Sequence, residues 1–147
     1  MVTMFGTIVV GTDGSQSSFL AVRRAAAIAA AFDAELVLAS AYYPQDADVA
    51  NSSRDDSRVV VGEPDANEVL AAALKEAKDE GATNVTAKMK AGAPVVALMS
   101  VVTEVDADLL VVGNRGINSL TGRLLGSVPA DVARQSQCDV MIVHTVD

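Results

Sequence analysis

The chain has one cysteine, one histidine and no tryptophan, and only two tyrosines and three phenylalanines among its 147 residues. A lone cysteine, Cys138, excludes an intrachain disulfide and leaves the redox compartment open. With so few sulfur and imidazole groups there is no Cys/His cluster of the kind that holds zinc. Scarce aromatics leave the core to Ala, Val, Leu and Ile, which suits helices packed closely on a sheet. No apolar run approaches the ~18 residues expected of a membrane helix, and Met1 to Val10 carries no basic leader region. Cytoplasm is therefore the expected location, without a membrane partner. The net charge of −8 argues against non-specific binding to nucleic acid. The length fits one domain over residues 1–147, large enough to bury a core unaided.

Several catalytic signatures are missing too. Gly122 to Ser127, with Arg123 inside it, has neither the spacing nor the lysine of a phosphate-binding P-loop. No G-x-G-x-x-G follows the first strand, which weakens a dinucleotide oxidoreductase. There is no G-x-S-x-G elbow, and His144 has no evident triad. A receiver domain needs a phosphoacceptor aspartate after the third strand, where Lys90, Ala91 and Gly92 stand instead.

What is present is an alternation of strands and helices. Thr7-Ile8-Val9-Val10 reads as a strand ending in the turn-rich loop Gly11-Thr12-Asp13-Gly14-Ser15. Ser15 or Ser17 can cap the helix that follows, whose apolar face is Phe19, Leu20, Val22, Ala26, Ile28, Ala29 and Phe32; Asp33 ends it. Leu36-Val37-Leu38-Ala39 is a second buried strand, ending near Ala41. Tyr42 to Pro64 is long and polar, the length of a lid, a binding loop or a solvated insertion. Within it Val59-Val60-Val61 is expected to fold back over a site or add a short strand. A helix over Asn67 to Glu80 stops at Gly81. Asn84 to Met89 alternates, and Lys88 and Lys90 mark it as a half-exposed edge strand. Pro94 opens a helix with Val95, Leu98, Met99 and Val102 facing in, ended by Asp106 to Asp108. Leu109-Leu110-Val111-Val112 and Val140-Met141-Ile142-Val143 are the fourth and fifth strands. This order predicts a three-layer, Rossmann-like α/β fold: an open parallel five-stranded sheet with helices on both faces.

The stretch from Gly113 to Pro129 carries the chemistry. It joins the fourth strand to a helix around Asp131-Val132-Ala133-Arg134, with Ser127 as N-cap and Pro129 in the first turn. Glycines let a backbone approach a phosphate, and free amides at a helix start point toward it. Leu109 to Ala130 contains no Asp or Glu, where 19 acids in 147 residues give about three on average, yet Arg115 and Arg123 are both there. An acidic chain has cleared one loop of negative charge. Ligands of open parallel sheets bind at the carboxyl ends of strands where the winding direction reverses. The loops after strands 1 and 4 can share a ligand only if those strands are neighbours, which favours the order 3-2-1-4-5 over 2-1-3-4-5. Asp13 then faces Gly113 across the crevice and meets a ribose, a base amino group or a metal, or else caps the first helix. Cys138 and His144 have plain structural readings.

These two loops resemble those of universal stress proteins. That family's pattern, G-x2-G-x9-G-[S/T], is met by Gly113, Gly116, Gly126 and Ser127, and Val10 to Ser15 matches its first-strand ending. The likeness runs over essentially the whole chain, with Asp139 standing where many members have proline. The resemblance implies the sheet order 3-2-1-4-5, a homodimer joined through the last strand, and an adenine nucleotide between the loops. Thr12 and Asp13 would lie at the adenosine end and Ala41 beside the base. Gly113, Gly116, Gly126, Ser127 and Val128 would surround ribose and phosphates, with Arg115 and Arg123 open to phosphate contact. The ligand is then ATP, accompanied by magnesium, or another adenine nucleotide such as cyclic AMP, and the role that of a sensor or ligand buffer. The alternatives are a slow magnesium-dependent hydrolase or phosphotransferase using Asp13, for which no general base is evident, and a dimeric scaffold.

Overall fold

β-branched and leucine side chains, which pack well on both faces of a pleated sheet, make up the central strands. The computed structural model describes residues 4–44, 60–114 and 127–145. Their strands are β1 (Thr7–Gly11), β2 (Glu35–Tyr42), β3 (Val85–Ala91), β4 (Leu109–Gly113) and β5 (Asp139–Val143). Their helices are α1 (Gln16–Phe32), α2 (Gly62–Asp79), α3 (Pro94–Val105) and α4 (Ser127–Gln135). All strand pairs are parallel and the order is β3-β2-β1-β4-β5. β1 lies at the centre, Ile8, Val9 and Val10 facing Leu109, Leu110 and Val111 of β4.

Alternation along each strand sends side chains to two cores. Ile8, Val10, Leu36, Leu38 and Val111 pack with Val22, Ala25 and Ala29 of α1 and with Leu70 and Ala73 of α2. Val9, Val37, Leu110 and Val112 pack with Leu98, Val101 and Val102 of α3 and with Val132 of α4. The helices therefore lie two on each face. Alanines 21, 25 and 26 are fully buried, so α1 rests close against the sheet. Ser15 caps α1, its side chain accepting from the Ser18 amide at 3.1 Å. Asp33 and Asp106 end α1 and α3 in the left-handed region, with φ of 55° and 53°, a conformation that aspartate tolerates better than most residues. No helix among the described residues is long and apolar enough to cross a membrane.

Two expectations are refined. α2 begins at Gly62, five residues before Asn67. Glu63, Pro64 and Asp65 are good first-turn residues, and the Asp65 carboxylate accepts from the Val61 amide at 3.1 Å. Residues 45–59, Val59 included, lie outside the described residues. Val60 is buried and Val61 makes one isolated parallel bridge to Tyr43. Tyr43 donates its amide to Val60 O at 2.9 Å and accepts from Gly62 N at 2.8 Å, so Val60 to Gly62 run beside the residue that follows β2 without forming a strand.

β3 is an edge strand, as its lysines suggest. Lys88 and Lys90, two residues apart and so on one face, both reach Glu104 of α3, at 2.8 and 2.6 Å. Hydrogen bonds from Lys88 and then Lys90 hold the Glu104 carboxyl down at about 2, well below the ordinary carboxylate range. A carboxyl depressed in the folded state adds stability above its unfolded value and loses it as pH falls through its folded value. Wild-type stability should therefore fall toward that of Glu104→Gln as pH drops from about 4.5 to about 2. Urea midpoints of the two proteins across that window give the test; parallel curves would remove the fork as the cause.

Ser40, on β2, is 2% exposed, and its hydroxyl has no hydrogen-bond partner among the described residues. A buried hydroxyl that has lost water without gaining a partner is destabilising. Ser40→Ala should raise unfolding free energy by about 1 kcal/mol, read from the denaturant midpoint.

Candidate functional site

The sheet reverses its winding between β1 and β4. From β1 the chain passes to α1, which packs on one face; α4, which follows β4, packs on the other. The two departures make the carboxyl ends of these neighbouring strands a switch point, the place where open parallel sheets take ligands.

The first wall is the loop after β1. Thr12 is buried, its amide donating to Ala39 O at 2.9 Å. Its hydroxyl lies 2.7 Å from Ser18 Oγ and accepts from the Gly14 amide at 3.2 Å. Asp13 Oδ1 accepts from the Ser15 amide at 2.9 Å, closing an Asx turn that aims the chain into α1. Gly14 has φ of 86°, which a side chain would strain. Gly11 is bare for another reason. A Cβ there would come 3.0 Å from Leu98 Cδ2, so the glycine lets α3 close on the sheet.

The opposite wall begins at Gly113 and Asn114. Asn114 is buried, and its amide donates to Val143 O at 3.0 Å. A Cβ on Gly113 would lie 3.3 Å from both Cγ2 and Oγ1 of Thr145 and 3.8 Å from Ser17 Oγ. The missing side chain thus makes room for the segment after β5. α4 starts at Ser127 with no acidic residue in its first turn, and Val128 packs against the core below. Ala41 sits half-buried near the end of β2, beside Lys90 of β3. The neighbouring Tyr42 hydroxyl donates to Glu63 Oε1 at 3.3 Å; burial, reinforced by that carboxylate, pushes the phenol up from its ordinary value.

Of the residues picked out by sequence, Thr12, Asp13, Gly113, Ser127 and Val128 fall on the two flanking segments, and Ala41 on the strand next to β1. Arg115, Gly116, Arg123 and Gly126 lie outside the described residues. The polar contacts of Ser17, Asn114 and Thr145 beneath Gly113 were not anticipated. Asn114 could have been suspected, since a polar residue directly after a buried strand needs partners. Thr145 gave no signal: it sits in what reads as a short polar tail.

The universal stress protein family model matches residues 4–144. This chain belongs to the universal stress protein family. Universal stress protein Rv1636 of Mycobacterium tuberculosis is 52% identical over 143 residues, covering 96% of this chain and 97% of that one. The crystal structure of Rv1636 aligns at a TM-score of 0.63 with 45% identity, covering 99% of this chain and 100% of that one. A universal stress protein crystallised in complex with cAMP aligns at 0.75 with 48% identity, covering 96% and 98%. A universal stress protein from Archaeoglobus fulgidus in complex with dAMP aligns at 0.69 with 21% identity, covering 95% and 98%, and shares the fold. In this universal stress protein, then, the five-stranded order inferred from the two loops is the order found.

The close approach of Leu98 to Gly11 is testable in the protein alone. Gly11→Ala should lower stability by about 1 kcal/mol, because Leu98 must shift within a packed core. A denaturant midpoint equal to wild type would show that the packing there is slack.

Proposed function

We propose that this protein binds an adenine nucleotide, ATP or cyclic AMP, in the crevice between the β1 and β4 loops, and acts as a sensor or buffer of that ligand. The observation that carries this is the pairing of β1 with β4, which brings Asp13 and Gly113 to one switch point. Membership of the family and the likeness to a cAMP-bound member support it.

The residues around the crevice fit such a ligand. α4 has no acid in its first turn, and the first amides of any helix lack an intrahelical partner, which favours an anionic phosphate. In this reading Gly116, Gly126 and Ser127 let the backbone close on the phosphates, and Arg115 and Arg123 add charge. Ala41 is small enough to let a flat base lie against β2. Thr12 acts by shape, since its amide and hydroxyl both bond within the protein. Asp13, whose Oδ1 accepts from the Ser15 amide, is a carboxylate, a group that can accept from a ribose hydroxyl or a base amine. When ATP is the ligand, magnesium travels with its phosphates. Two copies pair through β5, the edge strand opposite β3, whose Val140, Met141 and Ile142 are only half-buried within one chain.

Calorimetric titration with ATP, cyclic AMP and GTP, each with and without magnesium, is the decisive experiment. Protein stripped of co-purified ligand should bind one adenine nucleotide and not GTP. Gly116→Val should weaken that binding by about tenfold or more, because a branched side chain stands where phosphate must approach, while the melting temperature holds. Absence of binding by the wild-type protein to all three nucleotides would overturn the reading.

A further inference from the structure

β5 bonds to β4 along one side, and no described strand borders its other side. A trans peptide points its C=O and its N–H in opposite directions. Val143 O accepts from the Asn114 amide at 3.0 Å, so the His144 amide points away from β4. The Thr145 amide donates to Asn114 Oδ1 at 2.9 Å, so the His144 carbonyl points away too. Counting back in twos along the strand, Ile142 and Val140 also turn amide and carbonyl outward.

This outward row is bounded at both ends. Before it, the Cys138 amide donates to Ser136 Oγ at 3.2 Å, and that hydroxyl donates to Cys138 O at 3.1 Å. Cys138 therefore keeps no backbone group for a neighbouring strand. After it, Thr145 is turned inward, its hydroxyl donating to Asn114 Oδ1 at 3.0 Å and lying against Ser17 Oγ. The His144 ring is tied back as well, with Asn114 Nδ2, which can only donate, 3.2 Å from Nδ1. Val140, Ile142 and His144 remain, each with one amide and one carbonyl, and the middle one is Ile142.

We infer that two copies pair β5 to β5, antiparallel, with the twofold axis at Ile142. The inference rests on the pairing reading above and adds its register. Ile142 faces Ile142 of the second copy, and Val140 faces His144 of the second copy. Every outward amide and carbonyl in the row then has a partner. An axis at Met141 would instead set His144 opposite Cys138, whose groups are spent on Ser136. A row that reads alike about its middle residue is complementary to itself, as a twofold contact requires.

Disulfide trapping reads the register. In a Cys138→Ala background, Ile142→Cys sets two thiols on directly opposite residues, roughly 5.5 Å apart at Cα, within the reach of a disulfide. Met141→Cys faces Val143 of the second copy, so its own thiols are out of step by two residues, roughly 8 Å apart at Cα and too far to bridge. Val140→Cys is further out still. Oxidised with diamide, Ile142→Cys should shift from one-chain to two-chain mass on non-reducing gels, while the other two stay at one-chain mass. Ile142→Pro removes an outward amide and spares the β4 ladder, a place where edge strands accept proline. It should shift sedimentation from two chains to one, with the circular dichroism of wild type. Cross-linking through Met141→Cys or Val140→Cys instead overturns the register and leaves pairing through β5 in place. No cross-link at any of the three, or a dimeric Ile142→Pro, overturns the inference. A wild type that sediments as one chain removes the pairing reading itself, and the register with it.

Discussion

The pairing of β1 with β4 is the constraint on which the rest depends. Ile8, Val9 and Val10 are wholly buried against Leu109, Leu110 and Val111, and no stretch among the described residues is more enclosed. A strand buried on both faces must satisfy its backbone with neighbours on both sides, which puts β1 at the centre with β2 and β4 beside it. Right-handed crossovers then fix which face each helix takes. α1 and α2 cover one face, α3 and α4 the other. The switch point is a by-product of that winding: β1 and β4 are neighbours, and the helices that follow them lie on opposite faces.

Much of this was legible in the residues. The strands announced themselves as short β-branched runs, and the sheet order followed from asking which order brings two glycine loops together. Capping was readable to the residue at Ser15, since a serine before an apolar periodic stretch has a specific job. The start of α2 was harder. Its first turn is polar and follows a polar segment, so composition alone extends the loop to Pro64, while Gly62, with φ of 81°, marks where the chain turns into the helix.

Of the site, the walls were legible in the residues and the fastening was not. Gly113 and Gly11 both belong to glycine-bearing loops, yet they are bare for different reasons. One makes room for Thr145 and the other for Leu98, and no local pattern distinguishes the two. Thr12 falls at the expected end of β1, but its hydroxyl bonds to Ser18 rather than opening to the crevice. Contacts between residues more than a hundred positions apart, such as Ser17 with Thr145, depend on topology and leave no trace in local periodicity.

The two borders of the sheet are built differently. β3 carries Lys88 and Lys90, held by Glu104, whereas β5 presents valine, methionine and isoleucine. Strands add readily to an apolar border and poorly to a charged one. A sheet that could grow at both borders would extend without limit, each added copy offering a fresh place for the next. With one border guarded, extension through the other would end once two copies had met edge to edge about a twofold axis. The lysine fork thus makes β3 the poorer border for strand addition.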